Sequence, residues 1–237
     1  MQMSEKHIPA FREPIAVSNF DNIFHPEPKL HEFENDKRFV VRKADEDMFA
    51  PDQYTTPEEM GEVLKGLFKE LRDTYGIETP VHFVVANDEN SVPSLFILTE
   101  RIARVDFAGL DDAKKHESAE GIRHIFSSLV DYYEKKYASG ARYLSDLPYL
   151  GQFTYGVKEE GQSPRWFLTD TDPYFDDDKE SLFEVMDAFD IEIPTIQEKY
   201  AIDLEGEHAR VKVLKEKLGR DLEYEYRSDA NSLGDES

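Results

Sequence analysis

The sequence predicts an α+β fold with a small antiparallel sheet, and three observations support this prediction. Two long apolar stripes have the spacing of an amphipathic helix, one over residues 60–75 and one over residues 122–137. Two pairs of short β-branched and aromatic runs are each joined by a polar tract, which is typical of β-hairpins. Further helical segments close the chain.

The N-terminal 36 residues contain prolines and histidines without a regular period and contain no glycine. They predict an irregular arm with one short strand at residues 15–17. The run KRFVVRK at residues 37–43 places β-branched and aromatic residues between charged ends, and it predicts a β-strand. The tract TTPEE at residues 55–59 has a threonine cap, an early proline and first-turn acids, which mark the start of a helix.

The first helix is the clearest local prediction. Its apolar residues form one continuous stripe that ends before Gly76: Met60, Val63, Leu64, Leu67, Phe68, Leu71 and Tyr75. Two strand-like runs follow at residues 81–86 and 95–99. The tract NDENS joins them, so they predict a hairpin.

A second helix with the same kind of stripe follows a charged, poorly patterned stretch at residues 103–118. Its apolar members precede Gly140: Ile122, Ile125, Phe126, Leu129, Val130, Tyr133 and Tyr137. A loop at residues 142–148 separates this helix from the second predicted hairpin, at residues 152–157 and 165–169. The hairpin leads directly into an acidic tract.

Composition limits the classes of partner. Of the 237 residues, 39% are hydrophobic, which is enough for a core, and the formal net charge is -23. This acidity argues against binding to nucleic acid or to an anionic membrane, and it leaves open a basic protein partner or mimicry of a nucleic acid. The chain has no cysteine and no apolar run of signal-peptide or membrane-spanning character, so the sequence predicts a cytoplasmic protein.

Taken together, the order of elements over residues 38–175 resembles the protein-kinase-like superfamily, including its small-molecule kinases. That resemblance implies a two-lobed fold, with a sheet and a helix in an N-lobe at residues 37–102. A shortened, mainly helical C-lobe with one hairpin would cover residues 103–227. The arm at residues 1–36 and a disordered tail at residues 228–237 would lie outside the lobes.

The resemblance also assigns residues of a nucleotide site. The strand VVRK resembles the one whose lysine grips the phosphates, which implies this role for Lys43, with Glu62 or Glu70 on the next helix as its partner. The run LFILTER resembles the hinge strand, whose backbone contacts the adenine, here around Leu98 and Glu100.

The same resemblance assigns the catalytic and metal-binding groups. The tract SDL is similar to the catalytic-loop element, so Asp146 would accept the proton of the hydroxyl acceptor. Asp170 and Asp172 correspond to the strand-end acids that hold Mg²⁺, and Gln152 stands where an asparagine ligand is expected. The implied cofactors are ATP and Mg²⁺.

Departures from the kinase pattern leave the function open. No glycine occurs before Gly61, so the Gly-rich loop over the phosphates is missing, and the chain has no Ala-Pro-Glu element. The resemblance therefore implies either a divergent small-molecule kinase or a pseudokinase. The alternative is a non-enzymatic, acidic interaction protein, and a third hypothesis is a globular protein whose charge reflects its habitat.

Overall fold

The computed structural model describes residues 31–33, 36–44, 56–87, 92–169 and 175–234. The strands are β1 (His31–Phe33), β2 (Asp36–Lys43), β3 (Val81–Asn87), β4 (Pro93–Glu100), β5 (Ala103–Arg104), β6 (Tyr143–Leu144), β7 (Phe153–Val157), β8 (Arg165–Leu168) and β9 (Phe175–Asp176). The helices are α1 (Pro57–Tyr75), α2 (Asp112–Ser139), α3 (Lys179–Tyr200) and α4 (Glu205–Gly234). The short strand predicted at residues 15–17 lies outside the described residues.

Helix α1 begins and ends where the sequence indicates. The Thr56 hydroxyl accepts a hydrogen bond from the backbone N–H of Glu59 at 3.2 Å, and Pro57 is the first helical residue. At the other end Gly76 has a φ of 68°, a left-handed conformation that glycine adopts without steric cost. Both caps satisfy backbone groups that a helix end leaves unpaired.

Four antiparallel strands form the largest sheet, in the order β1-β2-β4-β3. β3 and β4 are the first predicted hairpin, and β2 is the strand predicted at residues 37–43. β2 pairs with β4 and not with β3, and this pairing places Lys43 opposite Phe96. β4 is therefore an interior strand with a hydrogen-bonded neighbour on each side.

Helix α1 covers one face of this sheet. Phe68 of α1 meets Phe83 of β3 edge to face, with ring centroids 5.0 Å apart. Phe83 lies opposite Ile97 of β4, which in turn lies opposite Arg42 of β2. Directly opposed residues share a face and adjacent residues alternate between faces. Arg42 therefore lies on the side of α1, and Lys43 lies on the other side of the sheet.

Two smaller antiparallel sheets lie in the second half of the chain. One has the strand order β5-β7-β8, and its β7–β8 pair is the second predicted hairpin. The other consists of β6 and β9, with Tyr143 opposite Asp176. The β6–β9 pair connects the chain that follows α2 to the chain that precedes α3.

One cluster of buried side chains runs through the described part of the chain, from Ala44 to Leu218. Phe126 of α2 is fully buried in it, with its ring centroid 6.3 Å from that of Phe153 and 6.1 Å from that of Phe189. Helices α1, α2, α3 and α4 all contribute to this cluster. The two predicted lobes therefore share one continuous core.

The C-terminal helices differ from the expected disordered tail. α3 and α4 contact each other through the pair Lys215 and Asp190, with 2.7 Å between Nζ and Oδ2, and α4 contacts α2 through Arg210 and Glu134 at 2.6 Å. The backbone of α4 remains helical to Gly234. Most of the predicted tail at residues 228–237 is therefore helical, because it continues a long helix that is anchored on α2 and α3.

The mixed α+β fold with small antiparallel sheets is confirmed. The kinase-like two-lobed arrangement, and with it the division between residues 102 and 103, stays a prediction. Within the described ranges, none of the helices is both long enough and apolar enough to cross a lipid bilayer.

Candidate functional site

Asp146 and Gln152 lie in the connection between β6 and β7, and the structure brings their side chains together. The Gln152 amide nitrogen Nε2 donates a hydrogen bond to Asp146 Oδ2 at 2.5 Å. Both side chains are half-buried. The two residues that the sequence assigned separately to catalysis and to metal binding therefore form one polar pair.

Two consecutive tyrosines of α2 hold the strand that leads to this pair. The Tyr133 hydroxyl donates to the carbonyl oxygen of Leu144 at 2.6 Å, and the backbone N–H of Leu144 donates to the Tyr132 hydroxyl at 3.0 Å. Burial raises the pKa of both phenols well above the ordinary value, so both stay neutral. The start of the Asp146 loop is thus anchored by buried hydrogen bonds, which are costly to break.

The end of β8 lies beside the same pair. The backbone N–H of Thr169 donates to the carbonyl oxygen of Gln152 at 3.0 Å, and the hydroxyls of Thr169 and Thr154 lie 2.8 Å apart. Asp170 follows Thr169 directly in the sequence, but Asp170 and Asp172 lie outside the described residues. Their assignment as metal ligands stays a prediction.

Carboxylates surround the exposed edge of the loop. The backbone N–H of Leu150 donates to Glu192 Oε2 of α3 at 3.3 Å. Partial burial, together with the negative charges of Asp146, Glu192 and Glu184, raises the pKa of the Tyr149 phenol. Tyr149 is 45% exposed, so this acidic edge is open to solvent.

A second group of acids lies where β9 meets α3. The Ser181 hydroxyl donates to Asp176 Oδ2 at 2.6 Å, and the Ser181 backbone N–H donates to Asp178 Oδ1 at 2.7 Å. Burial raises the pKa of both carboxyls. At Asp176 the hydrogen bonds from Ser181, Asp178 and the backbone together outweigh burial and lower the pKa, while the pKa of Asp178 remains raised. The described ranges contain no group of three or more His, Cys, Asp or Glu residues that could hold a metal ion.

The structure does not bring Lys43 to either of its predicted partners on α1. Lys43 lies on the face of the sheet opposite α1, as the β2–β4 register shows. Glu62 is exposed and pairs with Lys65 at 2.6 Å. Glu70 pairs instead with α2, at 2.6 Å from Lys136 Nζ and 3.3 Å from Lys135 Nζ.

The predicted hinge residues lie on the interior strand β4. Leu98 is opposite Val41 on one side and His82 on the other. The backbone N–H of Glu100 donates to the carbonyl oxygen of Pro80 at 2.9 Å, so this donor is already used.

The side chain of Glu100 is also engaged. Its carboxylate pairs with Lys158 at 2.8 Å and with His82 at 3.2 Å. Burial raises the pKa of this carboxyl, but the hydrogen bonds from Lys158 and His82 outweigh burial and lower it.

Sequence reasoning missed Lys136, which is 6% exposed and holds α1 to α2. Its ammonium also lies 5.1 Å from the centroid of the Tyr132 ring. Lys136 follows Tyr132 and Tyr133 by four and three residues, so its position on the apolar stripe of α2 was a signal that the prediction did not use.

No protein-family model, no curated protein and no solved structure matches this chain.

Proposed function

We propose that the chain is a kinase-like protein that binds ATP with Mg²⁺ beside Asp146 and Gln152. The observation that carries this proposal is the hydrogen bond between these two side chains, with the backbone of Thr169 bonded to Gln152. Kinase chemistry needs a proton acceptor, a neutral oxygen ligand and strand-end acids in one place, because phosphoryl transfer depends mainly on positioning and on neutralising charge.

Strand pairing supports the same proposal. In the largest sheet, β2 lies next to β4, and α1 packs against one face, as in the small lobe that the resemblance implies. Gln152 and Thr169 lie side by side at the open end of the β7–β8 hairpin. The β6–β9 pair joins the loop that carries Asp146 to the segment after Asp170 and Asp172.

The side chains near Gln152 suit a hard cation. Gln152 uses its amide nitrogen on Asp146, and its carbonyl oxygen Oε1 accepts no hydrogen bond from any described residue. Amide and carboxylate oxygens are the ligands that Mg²⁺ prefers. In this proposal Gln152, Asp170 and Asp172 hold the ion, which neutralises phosphate charge when bound, and Asp146 accepts the proton of a hydroxyl acceptor.

Thermal unfolding tests the binding proposal. At a free ATP concentration 100 times Kd, linkage gives about 2.7 kcal/mol of stabilisation. For a chain of this size that corresponds to a rise in Tm of about 5–10 °C. We expect the rise to require Mg²⁺ and to fall by about half in Gln152→Ala and Asp170→Asn, since a tenfold loss of affinity is about 1.4 kcal/mol.

The matched control is Asp73→Asn, which removes an exposed carboxylate of α1 whose ion-pair partners among the described residues are Lys69 and Arg72. It should leave the ATP-dependent rise unchanged. No rise at millimolar ATP and Mg²⁺ would reject the proposal in favour of an acidic interaction protein. ADP formation by the unaltered chain distinguishes an active kinase from a pseudokinase, and Asp146→Asn should abolish ADP formation while retaining the Tm shift.

Lys43 is not part of this proposal, and its replacement provides a separate prediction. Leu144 and Leu147, which flank Asp146, belong to the same core cluster as Phe83 and Ile97, and these two residues lie on the face of the sheet that α1 covers. Lys43 lies on the opposite face. We therefore expect Lys43→Met to change the Kd for ATP, measured by calorimetry, by less than about twofold, or about 0.4 kcal/mol. A tenfold loss of affinity would restore Lys43 as the phosphate ligand.

A further inference from the structure

A pocket of about 640 Å³ lies away from the Asp146 loop, between the first third of α2 and the turn that joins α3 to α4. Its volume is within the range of about 300–1,000 Å³ that is usual for small-molecule sites. The pocket shares no residue with the Asp146 loop. Its lining on α2 begins at Lys115 and ends at Arg123, about 14–26 Å along the helix from Tyr132, at about 1.5 Å per residue.

The lining of this pocket reverses the charge balance of the chain. Acids outnumber lysine and arginine by 51 to 28 in the sequence. The pocket, in contrast, is lined by three permanent cations, a histidine and two acids: Lys115, Arg123, Lys199, His116, Glu120 and Asp203. An excess of positive charge in a concave surface of such an acidic protein favours an anionic ligand.

Two of these cations lack a carboxylate partner among the described residues. Lys115 makes no ion pair there, whereas its neighbour Lys114 pairs with Asp111 at 3.5 Å. The first turn of a helix disfavours a cation because the N-terminal end of the helix dipole is positive. Lys199 contacts only the ring of Tyr200, at 5.4 Å from its centroid. Among the described residues, neither ammonium group therefore forms an ion pair that stabilises the fold.

Aromatic rings form the apolar part of the lining. Phe107 and Tyr200 meet edge to face, with ring centroids 5.0 Å apart. Trp166 is outside the lining and also meets Tyr200 edge to face, with ring centroids 5.7 Å apart. Burial raises the pKa of Tyr200 to about 12, so its hydroxyl is neutral at physiological pH. An aromatic wall beside unpaired ammonium groups matches a ligand with a flat apolar body and a negative end.

We propose that this pocket binds a small organic anion whose ring packs against Phe107 and Tyr200. The charged end of the anion, a phosphate monoester or a carboxylate, lies among Lys115, Lys199 and Arg123. This proposal is independent of the nucleotide site, because the two sites share no side chain.

Tryptophan fluorescence tests the proposal directly. Trp166 is the single tryptophan of the chain, and it contacts a residue of the pocket wall. Phenyl phosphate, added to the full chain, should change this fluorescence saturably. Phenol lacks the charged end and inorganic phosphate lacks the ring, so each should bind at least about tenfold more weakly. A second readout is the set of backbone amide shifts at residues 115–123 and 199–203.

Charge-removing variants locate the binding. We expect Lys115→Gln and Lys199→Gln each to weaken the binding of phenyl phosphate about fivefold. The double variant should bind more weakly than either single variant, but the two effects are coupled because both ammonium groups act on the same anion. The control Lys114→Gln removes the same charge one residue away, outside the pocket, and should bind like the unaltered chain. Lys199 is exposed and Lys115 is half-buried, and circular dichroism verifies that the variants fold.

Three results would overturn the proposal. These are the absence of saturable binding by either readout, equal affinity for phenol and phenyl phosphate, and an unchanged Kd in the double variant. Failure of Mg-ATP to raise Tm, by contrast, would leave this pocket unaffected and would reject only the nucleotide proposal.

Discussion

Replacing Glu70 by glutamine should lower the free energy of unfolding by about 3 kcal/mol at neutral pH, because it leaves a buried ammonium without its counter-charge. Lys136 is 6% exposed, and its Nζ lies 2.6 Å from Glu70 Oε2. This pair joins α1 to α2 beside the edge-to-face contact of Tyr75 with Tyr132, whose centroids are 5.5 Å apart. Urea unfolding at pH 7 measures the loss.

Glu62→Gln is the matched control, since it makes the same change on the same helix. Glu62 pairs with Lys65 at the protein surface, where the Glu62 side chain is 74% exposed and the Lys65 side chain is 46% exposed. Exposed pairs contribute about 0.2–1 kcal/mol, so this variant should stay within that range. The double variant Glu70→Gln/Lys136→Met should recover part of the loss, because it removes both charges. Equal effects at Glu62 and Glu70 would contradict the structural role of the pair.

The stabilisation from Glu70 should depend on pH in a defined direction. Partial burial by itself raises the pKa of its carboxyl, but the hydrogen bonds and charges of Lys136 and Lys135 outweigh burial and hold the pKa below its ordinary value of 4.5. A carboxyl with a lowered pKa in the folded state stabilises the protein above the unfolded-state pKa and loses that contribution as pH falls through the folded-state pKa. The difference between the unaltered chain and Glu70→Gln should therefore be constant near neutrality and shrink below about pH 4.5.

Gly156→Ala should cost about 3 kcal/mol, at the upper end of the range for overpacking, because the strands leave no room for a side chain. A Cβ at this position would overlap the carbonyl oxygen of Ala103 and lie 2.6 Å from Ile102 Cγ2. Gly156 also lies opposite Arg104 in β5, so the clash would separate β5 from β7. Thermal and urea unfolding should both show the loss.

Gly109→Ala is the comparison for this substitution. Apart from Gly109 and its two chain neighbours, no described residue has a heavy atom within 4 Å of a Cβ built at Gly109. A glycine in an open, non-strained position should tolerate alanine, and the expected change is within about 0.5 kcal/mol. A change in stability as small for Gly156→Ala as for Gly109→Ala would contradict the close approach of β5 to β7.

Much of the secondary structure was predictable because its causes are local. The stripe from Met60 to Tyr75, with a threonine cap before it and Gly76 after it, specifies α1 through nearest-turn contacts and capping. The two hairpins, β3–β4 and β7–β8, join strands that are close in the sequence. The C-terminal end of α4 was harder to predict, because its small polar residues carry no apolar period and the helix depends on what precedes it.

The candidate site was predicted only in part. Asp146 and Gln152 are six residues apart, so one loop accounts for their contact, which the sequence could suggest from motif order. The partners of Glu70 could not be found in this way, since Lys136 lies 66 residues further along the chain. The pocket residues Lys115 and Lys199 lie on different helices, and no spacing rule connects them.

The sequence by itself determined the α+β class, both ends of α1, the C-terminal end of α2, both hairpins and the acidic character of the chain, because periodicity, capping and composition act over a few residues. It did not predict the start of α2 at Asp112, since residues 112–118 carry no apolar period. Only the tertiary structure decided on which face of the sheet each charged side chain of β2 lies. A shift of one residue in the pairing register moves every side chain of a strand to the opposite face. The tertiary structure also decided which ammonium meets Glu70. Long-range pairing depends on how helices and strands pack, and this information lies in no single segment.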